Sequence, residues 1–284
     1  MLQRLRPAIG QFTPPLLGLA FGVALVRSSS GRGDSLWWLW APLALSACAT
    51  SGLVFVYGVR RWAELTKADQ VRVRDVAMPV AAVVVAGTLA INVPAILTGT
   101  DDGSVRSGVL LTLPLLAGIP AGGAMYGVRY VASNLPANLI AGAWLASLID
   151  MRRLLRRLLA AVGSLVALTT LQAAALMALE RSTNSPGTRP PQYVLVIGGF
   201  GSLLVALAYV PGWAALQHQG QRLCDHLLPL QPLGDASAIV STAEDRQKLE
   251  RVLGADRGII ADLQADLIIF APLLASAAAA LLPR

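Results

Sequence analysis

Residues 152–157 read Arg-Arg-Leu-Leu-Arg-Arg, and the stretch directly after them, 158–179, reads LLAAVGSLVALTTLQAAALMAL. This stretch contains no Asp, Glu, Lys, Arg or His. It has the length of about 20 residues that a helix needs to cross the hydrocarbon core of a bilayer. Cytoplasmic flanks of membrane helices carry an excess of Lys and Arg. The two segments together therefore predict a transmembrane helix that enters the membrane from its cytoplasmic face.

The composition of the whole chain agrees with a membrane protein. Of its 284 residues, 55% are hydrophobic and 14% are charged, whereas soluble domains have about 25% charged residues. Other apolar runs of suitable length are 8–26, 36–59, 77–98, 108–128, 193–216 and 258–282. We therefore expect an all-α fold, a polytopic transmembrane helical bundle of about seven spans.

The basic residues predict how the chain crosses the membrane. With seven spans and a cytoplasmic N-terminus, 17 of the 23 Lys and Arg residues fall in cytoplasmic segments and the remaining six fall outside. This asymmetry is what the positive-inside rule requires, and it places the C-terminus outside. The heavy use of Ala, Leu, Val, Gly and Arg is typical of a high-GC bacterium, so we expect the bacterial inner membrane.

One apolar run, 135–149, is too short to span comfortably, and it contains Pro136 and Asn138. If it crossed the membrane, the four arginines of 152–157 would lie outside. We therefore interpret 135–149 as an interfacial or re-entrant segment, because irregular backbone at membrane depth is tolerated only inside protein or beside water.

Three regions follow from these patterns. Residues 1–216 form the membrane bundle with six spans, 217–257 form a cytoplasmic helical hairpin, and 258–284 hold the last span. In the hairpin, Pro229 stops the first helix. Ser241 and Glu244 have the spacing of a capping box that would open the second.

Several function classes are disfavoured by the sequence. A net charge of +7 comes without any nucleic-acid-binding module, so we expect no nucleic acid partner. The first six spans have no Asp, Glu, Lys, Arg or His at mid-depth, which argues against a proton-coupled transporter and a retinal protein. We expect no cofactor and no metal. The polar residues inside the spans are predicted to form hydrogen bonds between helices: Asn92, Thr112, Thr169, Thr170 and Gln172.

The fourth span, 108–128, is the first candidate for a bent helix that lines a cavity. Its candidate cavity-lining residues are Pro114, Gly118, Pro120 and Gly122. Glycines four residues apart also allow close helix packing. That pattern occurs at Gly18 and Gly22, at Gly118 and Gly122, and at Gly123 and Gly127.

The start of the last span carries Asp262 and Asp266, the candidate catalytic residues. Their spacing of four places both carboxylates on one helix face, where two carboxylates could hold Mg²⁺. The alternative is that they form ion pairs with Arg257 or with the arginines of 152–157. Arg152, Arg153, Arg156 and Arg157 are themselves candidate binding residues.

Three functions remain open. The first is a non-enzymatic membrane component that sits in the lipid bilayer and binds a partner protein through the hairpin 217–257. The second is a channel or transporter for a small or apolar solute. The third is a Mg-dependent enzyme acting on lipids or prenyl groups. The sequence leaves the oligomeric state undecided.

Overall fold

The computed structural model describes residues 2–27, 33–67, 76, 87, 103–134, 140–183, 192–229 and 236–253. Asp262, Asp266 and the span 258–282 lie outside the described residues, and so does the span 77–98 except for Gly87. The described part of the chain forms six α-helices and no strand, which confirms the all-α prediction. The helices are α1 (Leu2–Arg27), α2 (Trp37–Lys67), α3 (Gly103–Ser133), α4 (Ala141–Ser182), α5 (Gln192–Leu227) and α6 (Ala236–Leu253).

Four of the described helices are long and apolar enough to cross a membrane, and α1 has a shorter apolar part, Thr13–Arg27. The four stretches are Trp37–Thr66, Leu110–Ser133, Ala141–Ser182 and Tyr193–Leu227. Their outer surfaces expose large apolar side chains, for example Val196 at 61% and Leu203 at 54%. Such a surface is stable in contact with lipid, so the helices are those of a membrane protein.

Two buried clusters fix the direction of each helix. One cluster joins the end of α1, the starts of α2 and α3, and the end of α4, around Val26, Trp40, Leu110 and Leu179. The other joins the later parts of α2, α3 and α5 with the start of α4 and with α6. We call the second end of the bundle the basic end, because it carries Arg60, Arg61, Arg129, Arg152, Arg153, Arg156, Arg157, Arg222, Arg246, Lys248 and Arg251.

Helices α2 and α3 are parallel, since both run from the first cluster towards the basic end. The end of α2 and the start of α3 therefore lie at opposite ends of the bundle. Two described residues, Val76 and Gly87, lie between these helix ends in the sequence. Val76 belongs to the cluster at the basic end. Gly87 lies beside Leu115 and Phe200, further along the bundle.

Helix α4 is the longest element. It has 42 residues and is about 63 Å long at 1.5 Å per residue, about twice the thickness of a hydrocarbon core. Its first turns are residues 141–149, so the described part of the short apolar run continues without a break through the four arginines into the predicted span. Helix α3 ends and α4 begins at the basic end, so these two helix ends lie at the same end of the bundle.

Glycines allow α1, α2 and α3 to approach closely. A Cβ atom at Gly18 would overlap the carbonyl oxygen of Cys48, and one at Gly52 would lie 2.5 Å from the carbonyl oxygen of Pro14. A Cβ atom at Gly58 would overlap the backbone nitrogen of Ala121. Because no side chain separates the backbones at these points, the three helices form a tight layer.

Asp34 caps the start of α2, and the end of α4 donates a further hydrogen bond to it. The hydroxyl of Ser182, at the end of α4, and the backbone N–H of Leu36 both donate to the Asp34 carboxylate. These bonds lower the pKa of Asp34 from its ordinary value, because they stabilise the charged form. The carboxylate also lies at a helix N-terminus, where negative charge is favoured.

Helix α6 begins at Ala236, earlier than the sequence predicts. The proposed capping box is wrong, because Ser241 and Glu244 lie inside the helix and not at its first turn. The end of α5 before Pro229 agrees with the prediction. Leu249 and Leu253 pack α6 against the cluster at the basic end.

Candidate functional site

An apolar groove of about 190 Å³ lies between α3, α4 and α5. We call it the apolar groove. Its described lining runs from Leu111 to Tyr126 on α3, from Val162 to Thr170 on α4 and from Ile197 to Ala208 on α5. On α3 this corresponds to a length of about 22 Å. An apolar cavity of about 150 Å³ is already large enough to hold benzene.

Two glycines keep the α3 wall of this groove open. A Cβ atom at Gly118 or at Gly122 would meet no atom of the described residues within 4 Å, although both residues line the groove. On the α5 wall the packing is tighter, since a Cβ atom at Gly201 would overlap a methyl group of Val166. The space in the groove therefore depends on the absence of side chains at 118 and 122.

The cavity-lining residues predicted from the sequence separate into two groups. Pro114, Gly118 and Gly122 line the groove, and Pro120 does not. Residues 114, 118 and 122 are four apart and share one helix face, whereas residue 120 lies on another face. A Cβ atom at Gly58 of α2 would lie 2.9 Å from the carbonyl carbon of Pro120, so that part of α3 faces α2.

The polar groups near the groove are satisfied within their own helix. The hydroxyls of Thr169 and Thr170 donate to the carbonyl oxygens of Leu165 and Val166, at 2.7 Å and 2.8 Å. Thr112 does the same with Gly108. The prediction of hydrogen bonds between helices is therefore wrong for these three threonines, because a threonine in a helix can bond its own preceding turn. Asn92 lies outside the described residues.

Helices α4 and α5 contribute lining residues that the sequence did not indicate. Phe200, Gly201 and Val166 lie in uniformly apolar stretches, where no polar residue marks the wall of a cavity. A helix that is apolar all round gives no sign of which face is turned to lipid and which to a neighbour.

A second cavity, of about 210 Å³, lies at the basic end where α4, α5 and α6 meet. We call it the arginine pocket. Arg152, Arg153 and Arg156 line it, together with Gln217 and Gly220 of α5 and the last turn of α6. Arg157, the fourth arginine of the predicted binding set, is exposed and does not line it.

The arginine pocket and the apolar groove are separate. On α4 they are turned roughly 100° apart around the helix axis, and about 9 Å of helix separates Arg156 from Val162. Between them the bundle is closely packed: Leu155 and Leu158 are buried, and a Cβ atom at Gly212 would lie 3.4 Å from a methyl carbon of Leu155.

No group of three or more His, Cys, Asp or Glu within the described ranges could hold a metal ion. The Mg²⁺ hypothesis rests on Asp262 and Asp266, which lie outside these ranges, so it stays a prediction. The same holds for a partner protein at 217–257.

Comparison with protein-family models, with characterised proteins and with solved structures finds no match for this chain.

Proposed function

We propose that this protein is a non-enzymatic membrane component that holds an apolar molecule in the apolar groove. The observation that carries the proposal is the open space beside Gly118 and Gly122 on a helix that otherwise packs closely. The proposal develops the second function left open by the sequence, a channel or transporter for a small or apolar solute, and not the binding of a partner through 217–257.

The chemistry of the lining favours an apolar occupant over water or an ion. The threonine hydroxyls in the wall already bond to their own helix. A charged or polar solute would lose its hydration without gaining partners, which costs several kcal/mol for each polar group. A hydrocarbon group loses nothing by the same transfer.

The position of the groove indicates access from the bilayer. On α4 the groove runs from Val162 to Thr170, in the middle of the apolar stretch 158–179. Leu207 lines the groove and leaves 53% of its surface exposed, so the groove reaches the outer surface of the bundle. A molecule dissolved in the lipid can therefore reach it without passing through water.

We also propose the finer topology: seven spans in a bacterial inner membrane, with the N-terminus in the cytoplasm and the C-terminus outside. The opposite locations of the α2 end and the α3 start support a further span between them. The accumulation of basic residues at one end supports the orientation.

A photoreactive alkyl diazirine in the lipid tests the groove. We expect an adduct on Met125, which lines the groove and is otherwise buried. The adduct on the exposed Leu116 serves as the reference. Gly118→Leu places a side chain in the groove, and its Cβ atom would meet no described atom within 4 Å. It should lower the Met125 to Leu116 ratio to less than half, as measured by peptide mass spectrometry.

Gly199→Leu is the matched control. A Cβ atom at Gly199 would also meet no described atom within 4 Å, but Gly199 does not line the groove. Both substitutions replace glycine by a better helix former, so both variants should fold. Equal ratios in wild type and Gly118→Leu would show that the groove holds no alkyl group.

A further inference from the structure

The arginine pocket lies at the depth of the lipid headgroups. On α4 the uncharged apolar stretch begins at Leu158, directly after the arginines, and on α5 it ends at Leu216, directly before Gln217. Both borders fall at the pocket, whose lining includes Arg156 and Gln217. Because two helices place the border of the hydrocarbon core at the same level, the pocket faces the phosphates of the bilayer and not its acyl chains.

The arginine pocket has two kinds of wall, one basic and one apolar. One wall carries the guanidinium groups of Arg152, Arg153 and Arg156, and a guanidinium group can donate paired N–H bonds to two oxygens of one phosphate. Leu216 and Val252 supply an apolar wall from α5 and α6. A phosphate ester with an apolar body matches both walls.

The arginine pocket is held in shape by its own residues. The Arg152 guanidinium donates to the carbonyl oxygen of Leu253, which fixes the last turn of α6 against α4. Arg153 lies 3.7 Å from the Asp150 carboxylate, and both side chains are mostly exposed, at 69% and 77%. An exposed ion pair at that distance is weak, so Arg153 can exchange Asp150 for a phosphate.

We infer that the arginine pocket binds the phosphate group of an anionic phospholipid. A basic pocket between transmembrane helices at the membrane surface is the kind of site that takes such headgroups. A soluble phosphate ester offers the same oxygens. The depth of the pocket and its apolar wall favour the lipid source, because a polar ester such as glycerol 3-phosphate has no apolar body to contact Leu216 and Val252.

Native mass spectrometry of the full-length protein tests this inference. Wild-type protein in an equimolar mixture of phosphatidylglycerol and phosphatidylcholine should retain phosphatidylglycerol preferentially. Arg153→Gln with Arg156→Gln should lower the ratio of the two bound lipids, roughly fivefold for each arginine removed. Arg152 is left unchanged because it holds α6 in place.

The matched control removes the same charge at the same end of the bundle. Arg157→Gln with Arg251→Gln changes two exposed arginines that do not line the pocket, and it should leave the lipid ratio unchanged. The single variant Arg153→Gln changes only an exposed side chain, so it should fold even if the double variant does not. It should lower the ratio of the two bound lipids roughly fivefold, the factor for one arginine.

Glycerol 3-phosphate added to the protein in phosphatidylcholine distinguishes the two sources. We expect no retention of it and no displacement of phosphatidylglycerol by it. Displacement at equal concentration would show that the pocket takes soluble phosphate esters and would overturn the lipid assignment. If the ratio of the two bound lipids falls equally in the pocket variant and in the control, general surface charge selects the lipid and the pocket does not.

Discussion

Gln172 lies inside the bundle with 1% of its surface exposed. Among the described residues, neither its amide oxygen nor its amide nitrogen has a hydrogen-bond partner. The sequence predicts a hydrogen bond between helices for this residue, and the described helices do not supply one. An unpartnered buried amide costs free energy, because it has lost its bonds to water without replacing them.

Gln172→Leu should therefore stabilise the protein. The substitution removes the unpartnered amide and keeps a side chain of similar size, so the free energy of unfolding should rise by about 1–3 kcal/mol. Unfolding in mixed detergent micelles measures it. Thr170→Val is the control, since its hydroxyl is already bonded to Val166, and it should change stability little. A loss of stability in Gln172→Leu would mean that the amide has a partner such as a bound water.

Glycine spacing shows how far single residues could be predicted. Gly18-x-x-x-Gly22 and Gly118-x-x-x-Gly122 are the same pattern in the sequence. In the structure Gly18 and Gly22 touch Cys48 of α2, and Gly118 and Gly122 face open space. Spacing predicts that two glycines share a face, and only the neighbouring helix decides whether that face is packed or empty.

At the scale of elements, an ion pair between described residues joins α6 to α5. Arg246 donates to Asp225 at 2.7 Å, and it also donates to Glu250 of its own helix at 2.9 Å. The Glu250 and Asp225 carboxylates raise the pKa of the Arg246 guanidinium, Glu250 having the larger effect. The contact is only partly shielded, because the Asp225 side chain is 63% exposed.

Arg246→Gln should loosen α6 without unfolding the membrane helices. An ion pair of this exposure contributes about 1 kcal/mol or less, so hydrogen exchange in α6 should become severalfold faster while α5 keeps its protection. Lys248→Gln removes the same charge from α6, but its partner Asp245 is on the same helix, so exchange should change less. Equal effects of the two substitutions would show that the pair with Asp225 does not hold α6.

The lengths of elements were harder to predict than their existence. The starts of α2 and α5 fall within a residue of the apolar runs that predict them, because tryptophan and tyrosine mark the membrane border there. The joining of 141–149 to the following span could not be predicted. Arg152–Arg157 interrupt the hydrophobic pattern, but arginine is a good helix former and does not end a helix.

At the scale of the whole molecule, the distribution of basic residues along the sequence predicts the directions of the helices. The described residues at the end opposite to the basic end include few basic side chains, such as Arg27 and Arg181. This segregation agrees with the helix directions that the two buried clusters define. The sequence could predict this segregation because the positive-inside rule depends on the Lys and Arg content of each loop and not on side-chain packing.

Cysteine labelling tests the proposed orientation. In a background in which the buried Cys48 and Cys224 are replaced by alanine, Arg181→Cys should react with a membrane-impermeant maleimide added to intact cells. Ser133→Cys, at the basic end of α3, should react only after the membrane is permeabilised. The reverse pattern would mean the opposite orientation, and reaction of both sites in intact cells would contradict the helix directions.

The uncharged interior of the bundle has one more consequence. In the described helices, the stretches between the two ends carry no Asp, Glu, Lys, Arg or His, and moving one elementary charge through 100 mV involves about 2.3 kcal/mol. The membrane potential therefore does no work on these stretches when they shift. For a neutral molecule entering the apolar groove, occupancy depends on its concentration in the lipid and is the same in an energised and a de-energised cell.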